Sequence, residues 1–251
     1  KALEHYHESL RRKLACGSSK EELALCYFNI GACYSGMLRL EQAQSFYAFA
    51  REIWEESDNR VKLAFLYNNI GSVYGRNEDL DKAREYFLKS LYIREDLGDK
   101  KGIASTLGNL GSLHEDLDDN ESALDFFTRS LELYEEIGNR RGIAYTYGCI
   151  GGVDISLGRL DEAEEHILRG LEISRELKMK DWEILCLEKI TELYKVKSDL
   201  KKALSYSLEL NTCVKEHLNE RSMDKITALQ VQFETEKKEK EAEIYRLKNV
   251  E

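Results

Sequence analysis

AFLYNNIGSVY, residues 64–74, is the stretch whose reading decides the fold. It recurs in step along the chain, as ALCYFNIGACY at 24–34, ASTLGNLGSLH at 104–114, AYTYGCIGGVD at 144–154 and, degraded, ILCLEKITELY at 184–194. Gly31, Gly71, Gly111 and Gly151 therefore repeat every 40 residues, and Thr191 keeps the step. A second series, Ala43, Ala83, Ala123, Ala163 and Ala203, runs in the same period, followed four residues later by Tyr47, Phe87, Phe127, Ile167 and Ser207. Ala2 begins the series one residue out of step, a shift that the loop Gly17-Ser18-Ser19 absorbs.

Proline is absent and no run alternates with period two, so the segments between loops read as helices. Each period holds a helix A with the glycine and a helix B with the alanine. Small residues at both places let the two helices approach closely, and Leu66, Ile70, Leu107, Leu110 and Ile150 fill the remaining space. Gly98 and Gly138 stand where left-handed C-caps belong, and Asp99 and Asn139 where the next helix needs an N-cap. One such pair buries little alone; stacked neighbours make a continuous core. The expected fold is all-α, a right-handed solenoid of antiparallel helix pairs.

The order aromatic-x-x-small-Gly-x-x-Tyr, followed by the alanine and aromatic of helix B, resembles the tetratricopeptide repeat in its longer, 40-residue form. The resemblance covers roughly residues 1–218, as a truncated first repeat and about five more. It weakens at Asp154, which stands in a Tyr place, and at Thr191, which stands in a Gly place. In that family the A helices line a concave groove. Transferred to this register, the resemblance places Asn29, Asn69 and Asn109 in the groove, two residues before each glycine, with Cys149 and Lys189 continuing the series. Asn is a poor helix former, and its amide both donates to and accepts from an extended peptide backbone; bonding within its own helix or to a neighbouring repeat is the other reading. Phe28, Asn68, Arg76, Tyr145 and Lys189 complete the candidate groove. Phe28, Asn68, Gly108 and Gly148 occupy a place where some relatives carry the Lys or Arg that grips a C-terminal carboxylate, which argues against chaperone-tail recognition.

From about residue 219 the pattern changes to a charged helix running to 251. Its heptad seam would hold Ile226, Leu229, Phe233 and Leu247, and is apolar only at its ends. The stretch resembles linkers that join such arrays to output domains of bacterial signalling proteins: GGDEF, HD-GYP, cyclase, histidine kinase or SpoIIE-type. It implies a homodimer contact and a relay. The chain starts inside a repeat at Lys1, which reads as a piece of a longer protein.

The formal charge of −10, from 37 basic and 47 acidic side chains, disfavours nucleic acid. The basic pairs Lys100-Lys101 and Arg140-Arg141 read as solvated loops. The six cysteines show no CxxC or zinc-like spacing and suit a reducing, cytoplasmic compartment. No apolar run is long enough for a membrane. None of the phosphate-, nucleotide- or metal-binding strings of known enzymes occurs. His114 reads as a packed residue in a Tyr place, and His166 and His217 as residues without partners at useful spacing. The sequence thus points to a protein- or peptide-binding module, not an enzyme, without metal or cofactor, acting as a regulatory region of a signalling protein or as a stand-alone scaffold.

Overall fold

The computed structural model describes residues 2–220 together with 222, 223 and 227. Every regular element among them is an α-helix: α1 (Ala2–Ala15), α2 (Lys20–Gly36), α3 (Leu40–Glu56), α4 (Arg60–Arg76), α5 (Leu80–Leu97), α6 (Lys100–Asp116), α7 (Asn120–Glu136), α8 (Arg140–Ser156), α9 (Leu160–Glu176), α10 (Lys180–Val196) and α11, helical over 200–220. The even-numbered helices are the A helices, and the odd-numbered ones from α3 onward are their B partners. The result is an α-solenoid of stacked pairs. Ile226, Leu229, Phe233 and Leu247, the residues of the expected dimer seam, lie outside the described residues.

The 40-residue glycine sits where helix B drives a large side chain into helix A. A β-carbon on Gly31 would meet the Tyr47 ring at 2.6 Å, and one on Gly71 the Phe87 ring at 2.7 Å. The alanine series, Ala43 to Ala203, is at most 5% exposed, and Ala24, Ala64, Ala104 and Ala144 on the A helices are buried as well. A further B-helix series, Ala50, Ser90, Ser130 and Gly170, packs under the same A helices. Ser90 and Ser130 donate their hydroxyls to the Ala64 and Ala104 carbonyls at 2.8 Å, so these buried polar groups are satisfied.

Turn chemistry is as regular as the packing. Asn59, Asp79, Asp99, Asp119 and Asn139 each accept a hydrogen bond from the backbone N–H three residues on. Gly98 and Gly138 carry φ of 65°, as their C-cap role requires. Equivalent left-handed positions hold Leu38, Asp58, Glu78, Asp118, Lys178 and Ser198, which have a Cβ to accommodate. Gly17, φ 68°, precedes its counterpart Asp58 by 41 residues, whereas Ser19 precedes Asn59 by 40, so Ser18 is the extra residue that shifts α1.

The basic pairs open helices; they are not loops, which corrects the sequence expectation. Lys100 and Arg140 are the first residues of α6 and α8, and they pair with Glu136 and Glu176 at the end of the B partner. Lys20–Glu56, Arg60–Asp96 and Lys180–Glu216 repeat this clasp, always 36 residues apart. Each pair is exposed and adds at most ~1 kcal/mol.

Candidate binding groove

Successive A helices approach each other closely from α2 to α10, whereas the B helices α3, α5, α7 and α9 do not approach one another. The A side is therefore the inner, concave side of the curve. It holds a pocket of about 620 Å³ between α6, α8 and α10. A large-for-small exchange shapes it. Tyr134 on α7 lines the pocket because Gly142 on α8 lacks a β-carbon, which would stand 2.5 Å from its ring. One repeat later the bulk lies on the other helix, with Ser174 at the tyrosine's register and Trp182 at the glycine's. The Trp182 ring lies 4.8 Å from that of Tyr145, and together they form an aromatic wall. Ser105, Asn109 and Asn139 supply polar atoms.

Lys101 and Arg141 complete the lining and are its only charged members. Sequence reasoning missed both. The signal was present: Glu21, Val61, Lys101, Arg141 and Asp181 share one register, with cations only in the two central repeats.

The structure distributes the sequence-derived groove residues over several roles. Tyr145 and Asn109 line the pocket. The Asn109 amide donates to Asn68 Oδ1 at 2.9 Å, and Thr106 donates to the same oxygen at 3.3 Å, which ties α6 to α4. Asn69 donates to the Phe65 carbonyl of its own helix at 2.8 Å. Two of the three register asparagines thus have committed amide N–H groups, and Asn29 is half-buried. Phe28 turns to the core, with its ring 5.8 Å from Tyr47 and 5.7 Å from Trp54. Arg76 reaches back to the Ser35 carbonyl at 3.1 Å. Lys189 crosses Gly152, whose β-carbon would stand 2.8 Å from its stem, and comes within 3.5 Å of Glu115 on α6. It thus reaches from α10 across α8 to α6, and it is not part of the pocket lining.

Three histidines have partners that linear spacing hid, and for His166 and His217 this corrects the sequence expectation: His217 Nε2 on α11 stands 3.1 Å from Asp181 Oδ1 on α10. The Tyr place pairs across each repeat with a residue 12 further on: Tyr34 stacks on Phe46, Tyr74 on Tyr86 and Tyr194 on Tyr206, at 5.5–5.6 Å. In the third repeat His114 packs on Phe126 at 5.1 Å and bonds Asp119. In the fourth the stack is replaced by a hydrogen bond between the buried Asp154 and His166 Nδ1 at 2.7 Å. Cys149 and Cys186 are buried, and burial pushes both thiols up to about 12, so at neutral pH they are poor nucleophiles. No group of three or more His, Cys, Asp and Glu among the described residues could hold a metal ion, and none of the described helices is long and apolar enough to cross a membrane.

Residues 62–136 match the family described as tetratricopeptide repeat. The described residues form an α-solenoid like that of tetratricopeptide-repeat proteins. No curated protein matches the chain's sequence. Solved structures with the same fold include BtubC (BKLC) from P. vanneervenii, at 20% identity and a TM-score of 0.71, over 84% of this chain and 89% of that one. A Rap protein complexed with Competence and Sporulation Factor superposes with a TM-score of 0.69 at 18% identity, over 78% of this chain and 54% of that one. Aspartyl phosphate phosphatase F from Bacillus subtilis gives 0.64 at 17%, over 78% and 61%. The solenoid described here thus spans little more than half of those two longer chains.

Proposed function

We propose that this solenoid is a protein- or peptide-binding module that takes an extended segment in its concave groove and serves as sensor or regulatory region of a larger signalling protein, with the C-terminal arm as relay. The observation that carries the binding reading is the pocket between α6, α8 and α10. It is open, has an aromatic wall built from α8 and α10, and gathers polar side chains from α6 and α8 around one space. Repeat solenoids use such concave surfaces for extended partners. That a Rap protein of the same fold is found complexed with a factor supports the reading. The relay rests on the sequence of the arm and its resemblance to signalling linkers.

The test uses peptides selected by display against the full chain. Ser105→Trp fills the pocket from α6, and Thr128→Trp places the same bulk on the exposed face of α7. Selected peptides should lose binding to the first variant and keep it for the second. Binding that survives Ser105→Trp rules the groove out.

A further inference from the structure

Lys101 and Arg141 stand in the first turn of their helices, where the positive end of the helix dipole disfavours a cation. Their neighbours Lys100 and Arg140 offset that position with ion pairs to Glu136 and Glu176. Lys101 and Arg141 have no acidic partner among the described residues, and the pocket they line contains no acidic side chain. This is a cationic, acid-free spot in a chain of net charge −10. It is also narrow: the same register holds Val61 on the α4 side and Asp181 on the α10 side, so it extends over two helices and then changes sign.

We infer that the pocket takes an extended acidic protein segment, with one carboxylate meeting Lys101 and one meeting Arg141, beside the Tyr145–Trp182 wall. The inference rests on the groove reading above and gives its ligand a chemistry. Adjacent packed helices lie about 8–10 Å apart, and an extended chain advances about 3.3 Å per residue. The two carboxylates are therefore two to three residues apart. A third acid further along would meet Asp181 and be repelled, so a short acidic pair fits better than an acidic tract. The Asn109 amide oxygen, whose N–H is already held by Asn68, remains as an acceptor for a backbone N–H of the segment.

The experiment sequences the display-selected peptides and measures the affinity of labelled copies for the full chain by fluorescence polarisation. Lys101→Glu with Arg141→Glu is compared with Lys201→Glu with Lys215→Glu, which makes the same change of net charge on the exposed surface of α11. Helical content of both is checked by circular dichroism. The expected result is enrichment of Asp or Glu two to three residues apart. Binding should fall by roughly tenfold or more in the pocket variant, and equally when the peptide acids become Gln. It should weaken with salt and stay unchanged in the control variant. Peptides blocked by Ser105→Trp that carry no acidic pair and ignore the pocket reversal overturn the acidic ligand and leave the groove standing. Equal weakening in both charge variants also overturns it, since the attraction would then be diffuse. If no selected peptide is blocked by Ser105→Trp, both readings fall.

Discussion

A β-carbon added to Gly111 would stand 2.8 Å from Cδ1 of Phe127, closer than carbon atoms approach in folded proteins. Helix B presses an aromatic ring onto the backbone of helix A at this point, and the same pairing sets Gly31 against Tyr47 and Gly71 against Phe87. Gly111→Leu should therefore lower stability by at least ~1–3 kcal/mol through overpacking. Gly111→Ala combined with Phe127→Leu should cost less than the sum of the two single changes. A double-mutant cycle by chemical denaturation checks this, and strict additivity would show that the two residues do not share the space. The fifth repeat already carries such a compensation, with Thr191 at the glycine's place and Ser207 at the aromatic's.

Lys178 holds φ of 55° at the turn between α9 and α10, at the register where Gly98 and Gly138 stand. The left-handed conformation costs a residue with a Cβ about 1 kcal/mol. Lys178→Gly should raise stability by about that amount, read as a higher denaturant midpoint at constant slope.

Glu21 accepts hydrogen bonds from Ser57, Trp54 and Asn59, and the Ser57 bond is the main reason its carboxyl lies below the usual 4.5. A depressed folded value means that its stabilisation is present above the unfolded value and is lost as pH falls through the lower, folded one. Acid should thus loosen the α2–α3 pair below about pH 4.5, and Glu21→Gln should flatten that part of the stability–pH curve. An unchanged curve in the variant would remove Glu21 from the acid response.

Asp154 is 2% exposed, and His166 is the partner that satisfies it. His166→Ala should destabilise by ~1–3 kcal/mol, because it leaves a buried carboxylate without its donor. Asp154→Tyr together with His166→Phe should cost less, by restoring the stack that the first and second repeats use. Thermal unfolding of the two variants decides between them.

The repeat, its small-residue registers and its caps were legible in the sequence, because each is a local demand that recurs every 40 residues. Gly98 and Gly138 announce their conformation, as do the capping Asp99 and Asn139. The groove was less legible. Whether a helix position faces the groove or the next A helix depends on the small rotation between repeats, which the period does not encode. Hence Asn68 and Asn109 bond each other across α4 and α6, Phe28 packs on Trp54, and Lys101 emerges as a pocket residue from what read as a loop. The Asp154–His166 pair was hidden for a different reason: a 12-residue separation carries meaning only once α8 and α9 are known to be antiparallel partners.

Amide hydrogen exchange of the full chain with a display-selected peptide tests the concave-groove account most directly. The account expects slowed exchange over α6, α8 and α10, around Ser105, Tyr145 and Trp182, with α5, α7 and α9 unchanged on their outer faces. Protection confined to those odd-numbered helices, with the inner helices exchanging as in the free chain, would contradict it.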